Sequence, residues 1–127
     1  MIKRPGNIND QRKNEYHGIH IHSGDIQVGF STIIYLRTLE DYGEELQHPA
    51  GRDNLYNGKA VFISNGGGLF SYSTHMVIPK VGDFYIFPYD MRHLVYPFSS
   101  EGTRRSLSMN FDVYLEIDHG SLEMKRT

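Results

Sequence analysis

Two stretches of this chain alternate between apolar and polar residues with a period of two, the spacing of a strand with one buried face. The clearest case begins at Arg104. Arg104, Ser106, Ser108 and Asn110 fall on one face, and Arg105, Leu107, Met109 and Phe111 on the other. His17 to His22 alternates as strictly, with His20 and His22 on one side and Ile19 and Ile21 on the other. Gln27 to Arg37 is the longest β-like run and predicts a central strand. Lys59 to Ser64 predicts another; Asn65-Gly66-Gly67-Gly68 reads as a tight turn, with Leu69 to Tyr72 returning as a hairpin. Phe84 to Phe87 is a short strand ended by Pro88, which cannot donate to a ladder. His93 then heads Leu94-Val95-Tyr96, and Phe111 to Ile117 extends the last strand. About eight short strands separated by turn signals predict an all-β antiparallel sandwich or barrel, with a jelly roll among the candidates.

Between these runs lie three segments without periodicity. Residues 1–14 are polar and read as a flexible arm, residues 15–117 as the domain, and residues 118–127 as a polar tail. Residues 38–57 form a long connection with room for one short helical turn, and connections of this length often carry function. The chain has 127 residues, enough for one domain. Its net charge of −2 gives no basic field for nucleic acid. Cysteine is absent, which excludes disulfides, thiolate metal sites and a thiol nucleophile. No apolar run approaches the roughly 18–20 residues of a membrane span, and the basic N-terminus lacks the apolar stretch of a signal peptide. A cytoplasmic protein with no membrane partner is expected.

His20 and His22 project to the same side of one strand, and His93 comes from a distant one. Three imidazoles converging at a β-barrel mouth would hold a divalent metal with positions left open. Asp25, three residues after His22 across Ser23-Gly24, is the weaker alternative to His22, because many mononuclear iron sites use two histidines and one carboxylate. Arg104 with Ser106 on its face can hold a carboxylate through a forked, charge-assisted contact. Eleven residues separate His93 from Arg104, so a hairpin is expected to bring both to one pocket mouth. Asp90 reads as a turn residue and Arg105 as a solvated charge. Tyr72, Tyr85, Tyr89 and Tyr96 read as core packing or an aromatic wall. The Gly66–Gly68 run lacks the Lys-Ser/Thr and helix of a phosphate loop.

HIHSGD, STIIYL, PKVGDFYIFPYDMRHLVYPF and RRSLSMNF together resemble the 2-oxoglutarate- and Fe(II)-dependent oxygenase superfamily, most closely its small phage and bacterial prolyl-hydroxylase-like branch. Pro79, Gly82, Asp83, Phe87, Pro88, His93, Val95, Arg104, Ser106, Ser108 and Asn110 carry the match, which spans roughly Ile19 to Val113. The resemblance implies a double-stranded β-helix holding one Fe(II). His93 would be the distal ligand, and His20 with His22 or Asp25 would complete the set. Arg104, Ser106 and Tyr35 would bind 2-oxoglutarate. The implied chemistry is oxidative decarboxylation of 2-oxoglutarate to succinate, coupled to hydroxylation of a peptidyl or small-molecule substrate. Position 22 departs from the superfamily's usual His-x-Asp, and only about nineteen residues precede His20.

Two other readings fit the residues. One is a cupin-like metal-binding protein, since cupins also use His-x-His. The other is a catalytically silent jelly roll serving as a structural or binding part, for example in a virus particle. Exposed sheet edges predict a homo-oligomer. A phage-encoded chain would act in the host cytoplasm.

Overall fold

The computed structural model describes residues 2–3 (backbone only), 6–46, 55–64 and 66–116. Nine strands run in chain order: β1 (Ile2–Lys3), β2 (Asn7–Arg12), β3 (His17–His20), β4 (Gly29–Arg37), β5 (Ala60–Ile63), β6 (Thr74–Val77), β7 (Phe84–Pro88), β8 (Arg92–Val95) and β9 (Thr103–Asp112). No helix occurs among the described residues, so none there is long and apolar enough to cross a membrane.

The strands form two antiparallel sheets. The larger has the order β1-β9-β4-β7, with β2 also paired to β9; the smaller has the order β3-β8-β5-β6. From β2 to β5, and again from β6 to β9, successive strands switch sheets. The result is a jelly roll, the double-stranded β-helix expected from the sequence. Ala60, Phe62 and Val95 of the smaller sheet pack on Phe87, Ile33 and Tyr85 of the larger, and this aromatic-rich cluster is the core. Burying each large side chain there stabilises the fold by about 1.5–3 kcal/mol.

β4 lies between β9 and β7, so the Gln27–Arg37 run is central as predicted, although β9 is one residue longer. Pro88 closes β7 while still opposite Phe30. The turn before β7 needs Gly82, whose φ of +89° suits glycine. Its N–H donates to the Tyr35 carbonyl, which ties the turn to the end of β4.

Four expectations change. Residues 7–12, read as part of a loose arm, are strand β2, paired to β9 from Asn7↔Ser108 to Arg12↔Thr103. Asn7, Asn9 and Gln11 line the interior, so polar residues occupy both faces and hydrophobic periodicity is silent. The strand returning from β5 is Thr74–Val77, not Leu69–Tyr72, which lies in an exposed connection. β9 ends at Asp112, after which 113–116 leave the sheet; Ile117 and the expected tail lie outside the described residues. The described parts of the 38–57 connection contain no helical turn, and 47–54 lie outside the described residues.

Candidate metal centre and anion pocket

The pairing of β3 with β8 sets His20 directly opposite His93, and that of β5 with β8 sets Phe62 on the other side of His93. Opposed residues on one sheet face are in side-chain contact. The His20 and His93 rings accordingly lie 4.1 Å apart, centroid to centroid. His22, two residues past the end of β3, returns to the same side, stacked on His93 at 4.8 Å and 9°. One donor nitrogen from each of His20, His22 and His93 lies within 4.8 Å of the others.

The hydrogen bonds choose the tautomers. His93 Nδ1 is 3.0 Å from the Met91 carbonyl and His20 Nδ1 is 2.7 Å from the Gly18 carbonyl. A carbonyl only accepts, so both Nδ1 atoms carry the proton, and each Nε2 lone pair is available. His22 Nε2 approaches His93 Nε2 at 3.0 Å. Burial pushes His93 down to about 4, against the favourable Met91 carbonyl and with the help of the neighbouring His20 and His22. Burial, then His20, also lowers His22. Both rings are therefore neutral at neutral pH. Phe87, 3% exposed, packs on His93 at 4.8 Å and on His22 at 6.0 Å, and gives the cluster an apolar wall.

His22 lies outside a strand, yet its backbone is fixed. Its N–H donates to the Tyr89 carbonyl at 2.9 Å, and the Tyr89 hydroxyl donates to Asp112 Oδ1 at 3.0 Å. The Asp25 N–H donates to Asp112 Oδ2 at 3.0 Å. Asp112 is fully buried at the end of β9, and a Cβ on Gly24 would run into its carboxylate. Asp112 is thus the post around which the Ser23-Gly24-Asp25 turn is wrapped. Asp25 serves that turn with its N–H, and the cluster among the described residues that could hold a metal ion comprises His20, His22 and His93 without it.

At the other end of the cavity stands Arg104, the second residue of β9, 4% exposed. Its guanidinium donates to the Gly58 carbonyl and to Gln11 Oε1, and stands over the Tyr35 ring at 5.6 Å from Cζ to centroid. Among the described residues no carboxylate pairs with it. A buried charge held only by neutral oxygens is costly, so this guanidinium favours an anion beside it. Ser106 lies two residues on along the same face, opposite Tyr35 on β4. A cavity of about 480 Å³ connects the two ends, and His20, His22, His93, Tyr35, Arg104 and Ser106 all line it. The polar row Ser106, Ser108, Asn110 faces inward as the alternation predicts.

His93 and Arg104 do share one cavity, but no hairpin joins them: β8 belongs to the smaller sheet and β9 to the larger. Arg105 is not merely solvated; its Nε and a terminal nitrogen bridge Asp10 at 2.7 and 2.9 Å. The four tyrosines form no common wall, since Tyr89 is buried on Asp112, Tyr96 packs on Tyr56, Tyr85 faces Phe62 and Tyr72 is exposed. The sequence reading missed Gln11, Asn9 and Asn7 because polar residues fall on both faces of their strand, with Ile8 its one apolar side chain. It also missed Asp112, whose role depends on contacts with residues 87 and 23 positions earlier in the chain.

No curated protein matches the chain. The family model for 2OG-Fe(II) oxygenases matches residues 8–110, from the second residue of β2 to the inward-facing Asn110 of β9. The match takes in all three histidines, Arg104 and most of the chain, and the chain belongs to the 2OG-Fe(II) oxygenase family.

Proposed function

We propose that this chain is an Fe(II)- and 2-oxoglutarate-dependent dioxygenase that hydroxylates a peptidyl or small-molecule substrate. The observation that carries this reading is a single cavity with a cation-seeking cluster and an anion-seeking group. Three histidine nitrogens lie within 4.8 Å of one another, and a buried guanidinium has no carboxylate partner among the described residues.

The donor set suits a divalent ion. The 3.0 Å between His22 Nε2 and His93 Nε2 is close to the spacing of two adjacent ligands on an octahedral ion with metal–nitrogen distances of about 2.1 Å. His20, His22 and His93 would hold Fe(II), and the Gly18 and Met91 carbonyls fix the His20 and His93 rings for the task. Arg104, Ser106 and Tyr35 would hold the remote carboxylate of 2-oxoglutarate. With histidine at position 22, His20, His22 and His93 would bring no negative charge to the ion they hold. When bound, Fe(II) and 2-oxoglutarate supply dioxygen activation, with decarboxylation to succinate and insertion of oxygen into a C–H bond. Phe87 keeps water from one side of the ligands. Asn7, Asn9, Ser108 and Asn110 line the remaining volume and would orient a substrate through hydrogen bonds. A peptidyl substrate would agree with the likeness to the prolyl-hydroxylase-like branch.

The test is succinate formation from 2-oxoglutarate by the purified protein supplied with Fe(II) and dioxygen. Succinate above the metal-free control is expected. Its absence, with iron bound, would favour the cupin-like reading, in which three histidines hold a metal and no keto acid is needed; His22 in place of aspartate is the feature that supports that reading.

A further inference from the structure

The larger sheet has a second face, turned away from the cavity, and its register stacks apolar residues in rows across the strands. Ile8, Leu107, Ile34 and Phe84 form one row over β2, β9, β4 and β7. Met109, Thr32 and Ile86 form the next, and Phe111, Phe30 and Pro88 the third. None of these ten residues is charged. Ile8 is 57% exposed, Phe30 41%, Phe84 54% and Ile86 61%, and Leu36 beyond the first row is 42% exposed. For side chains that each offer on the order of 200 Å², these five leave about 500 Å² of apolar surface in water. The half-buried Ile34, Leu107, Met109 and Phe111 add to it. That is at or above the largest patch of a typical monomer, about 300–600 Å². It approaches the roughly 800 Å² that each partner contributes to a standard interface.

We infer that two copies of this chain pack face to face through the outer side of the β2-β9-β4-β7 sheet. Among the described residues the rows carry one charge, Lys3 opposite Phe111 at the β1 end of the third, too little to attract a nucleic acid or an anionic membrane surface. Antiparallel sheets of this kind pack about 10 Å apart, and a two-fold partner brings the same flat apolar face, so every row meets apolar residues. A two-fold axis across the strands also keeps the Asp10–Arg105 and Arg37 ends of the two copies apart, and avoids like-charge contact. The cavity opens on the opposite side of these strands, so the dimer leaves it free. This inference is independent of the reaction proposed above.

The experiment is light scattering coupled to size exclusion on the full chain across micromolar concentrations. The wild type is expected at twice the chain mass. Phe84→Glu combined with Ile86→Glu should weaken association at least 100-fold, with the circular dichroism of the fold and cobalt binding retained. Leu69→Glu, at a 97% exposed site on the connection before β6, should leave the dimer intact. A monomeric wild type overturns the inference; if removing residues 117–127 then raises binding of a hydrophobic dye, that segment is the cover. A dimer that survives the double substitution, or is broken by Leu69→Glu alone, overturns it as well.

Discussion

The two ends of the cavity solve opposite electrostatic problems by different means. At one end His22 and His93 are kept neutral by burial, and backbone carbonyls aim two of the three rings. That end is shaped by main chain and strand register, and its donor atoms suit a cation. At the other end a permanent charge is buried against two neutral oxygens, a carbonyl and a glutamine amide, and it favours an anion beside it. A ligand set can be assembled from neutral groups before the metal arrives at little cost. A buried guanidinium cannot, and it is tolerable only where neutral acceptors share the burden until an anion binds.

The sharpest way to break this contrast is to remove one end at a time. His93→Ala should weaken Co(II) or Fe(II) binding by at least about 100-fold, because a ligand counts for more than the 10–100-fold typical of its supporting partners. Binding would be followed by visible absorption of cobalt. Arg104→Lys should leave cobalt binding unchanged and weaken 2-oxoglutarate binding to the metal-loaded protein by about 10–100-fold, the loss of a forked contact worth about 1.5–3 kcal/mol. Calorimetry reads this directly. Were both variants to lose both ligands equally, the ends would not be separate.

A finer cut is Asp112→Asn, which preserves shape but removes a charge that receives the Tyr89 hydroxyl and the Asp25 N–H. The turn carrying His22 should loosen, and cobalt affinity should fall about 10-fold with the dissociation rate rising. An unchanged affinity would mean that Tyr89 alone holds the turn. The smallest effect is a pH dependence of the metal-free protein. His93 in the unfolded chain takes a proton near 6.5, whereas the folded ring refuses it until about 4. Its contribution to stability is therefore complete above pH 6.5 and is lost as the pH falls towards 4. The urea midpoint should be lower at pH 5 than at pH 7, and His93→Gln should flatten that slope.

How much of this was legible beforehand differs between the same two ends. Strict alternation put His20 with His22 and Arg104 with Ser106, because a period of two is a property of the local backbone. The stop at Pro88 was legible because proline cannot donate to a ladder. The hairpin expected between His93 and Arg104 failed because sequence distance does not say which sheet a strand joins; β8 and β9 cross between sheets. The guanidinium's neutral partners were hidden too. Gln11 sits on a strand with polar residues on both faces, and Gly58 closes a long connection, so neither has a periodic signature. Asp112 looked like any strand-end carboxylate until its two hydrogen-bond donors were brought to it by the fold.

The central claim is that one cavity holds an ion and a keto acid together, each at its own end. Anaerobic titration of the Fe(II)-loaded protein with 2-oxoglutarate measures this most directly. The account predicts the weak visible absorption of a keto acid chelated to Fe(II), saturating in the wild type and requiring about 10–100-fold more 2-oxoglutarate in Arg104→Lys. An iron-loaded wild type that gives no such absorption at millimolar 2-oxoglutarate would contradict it.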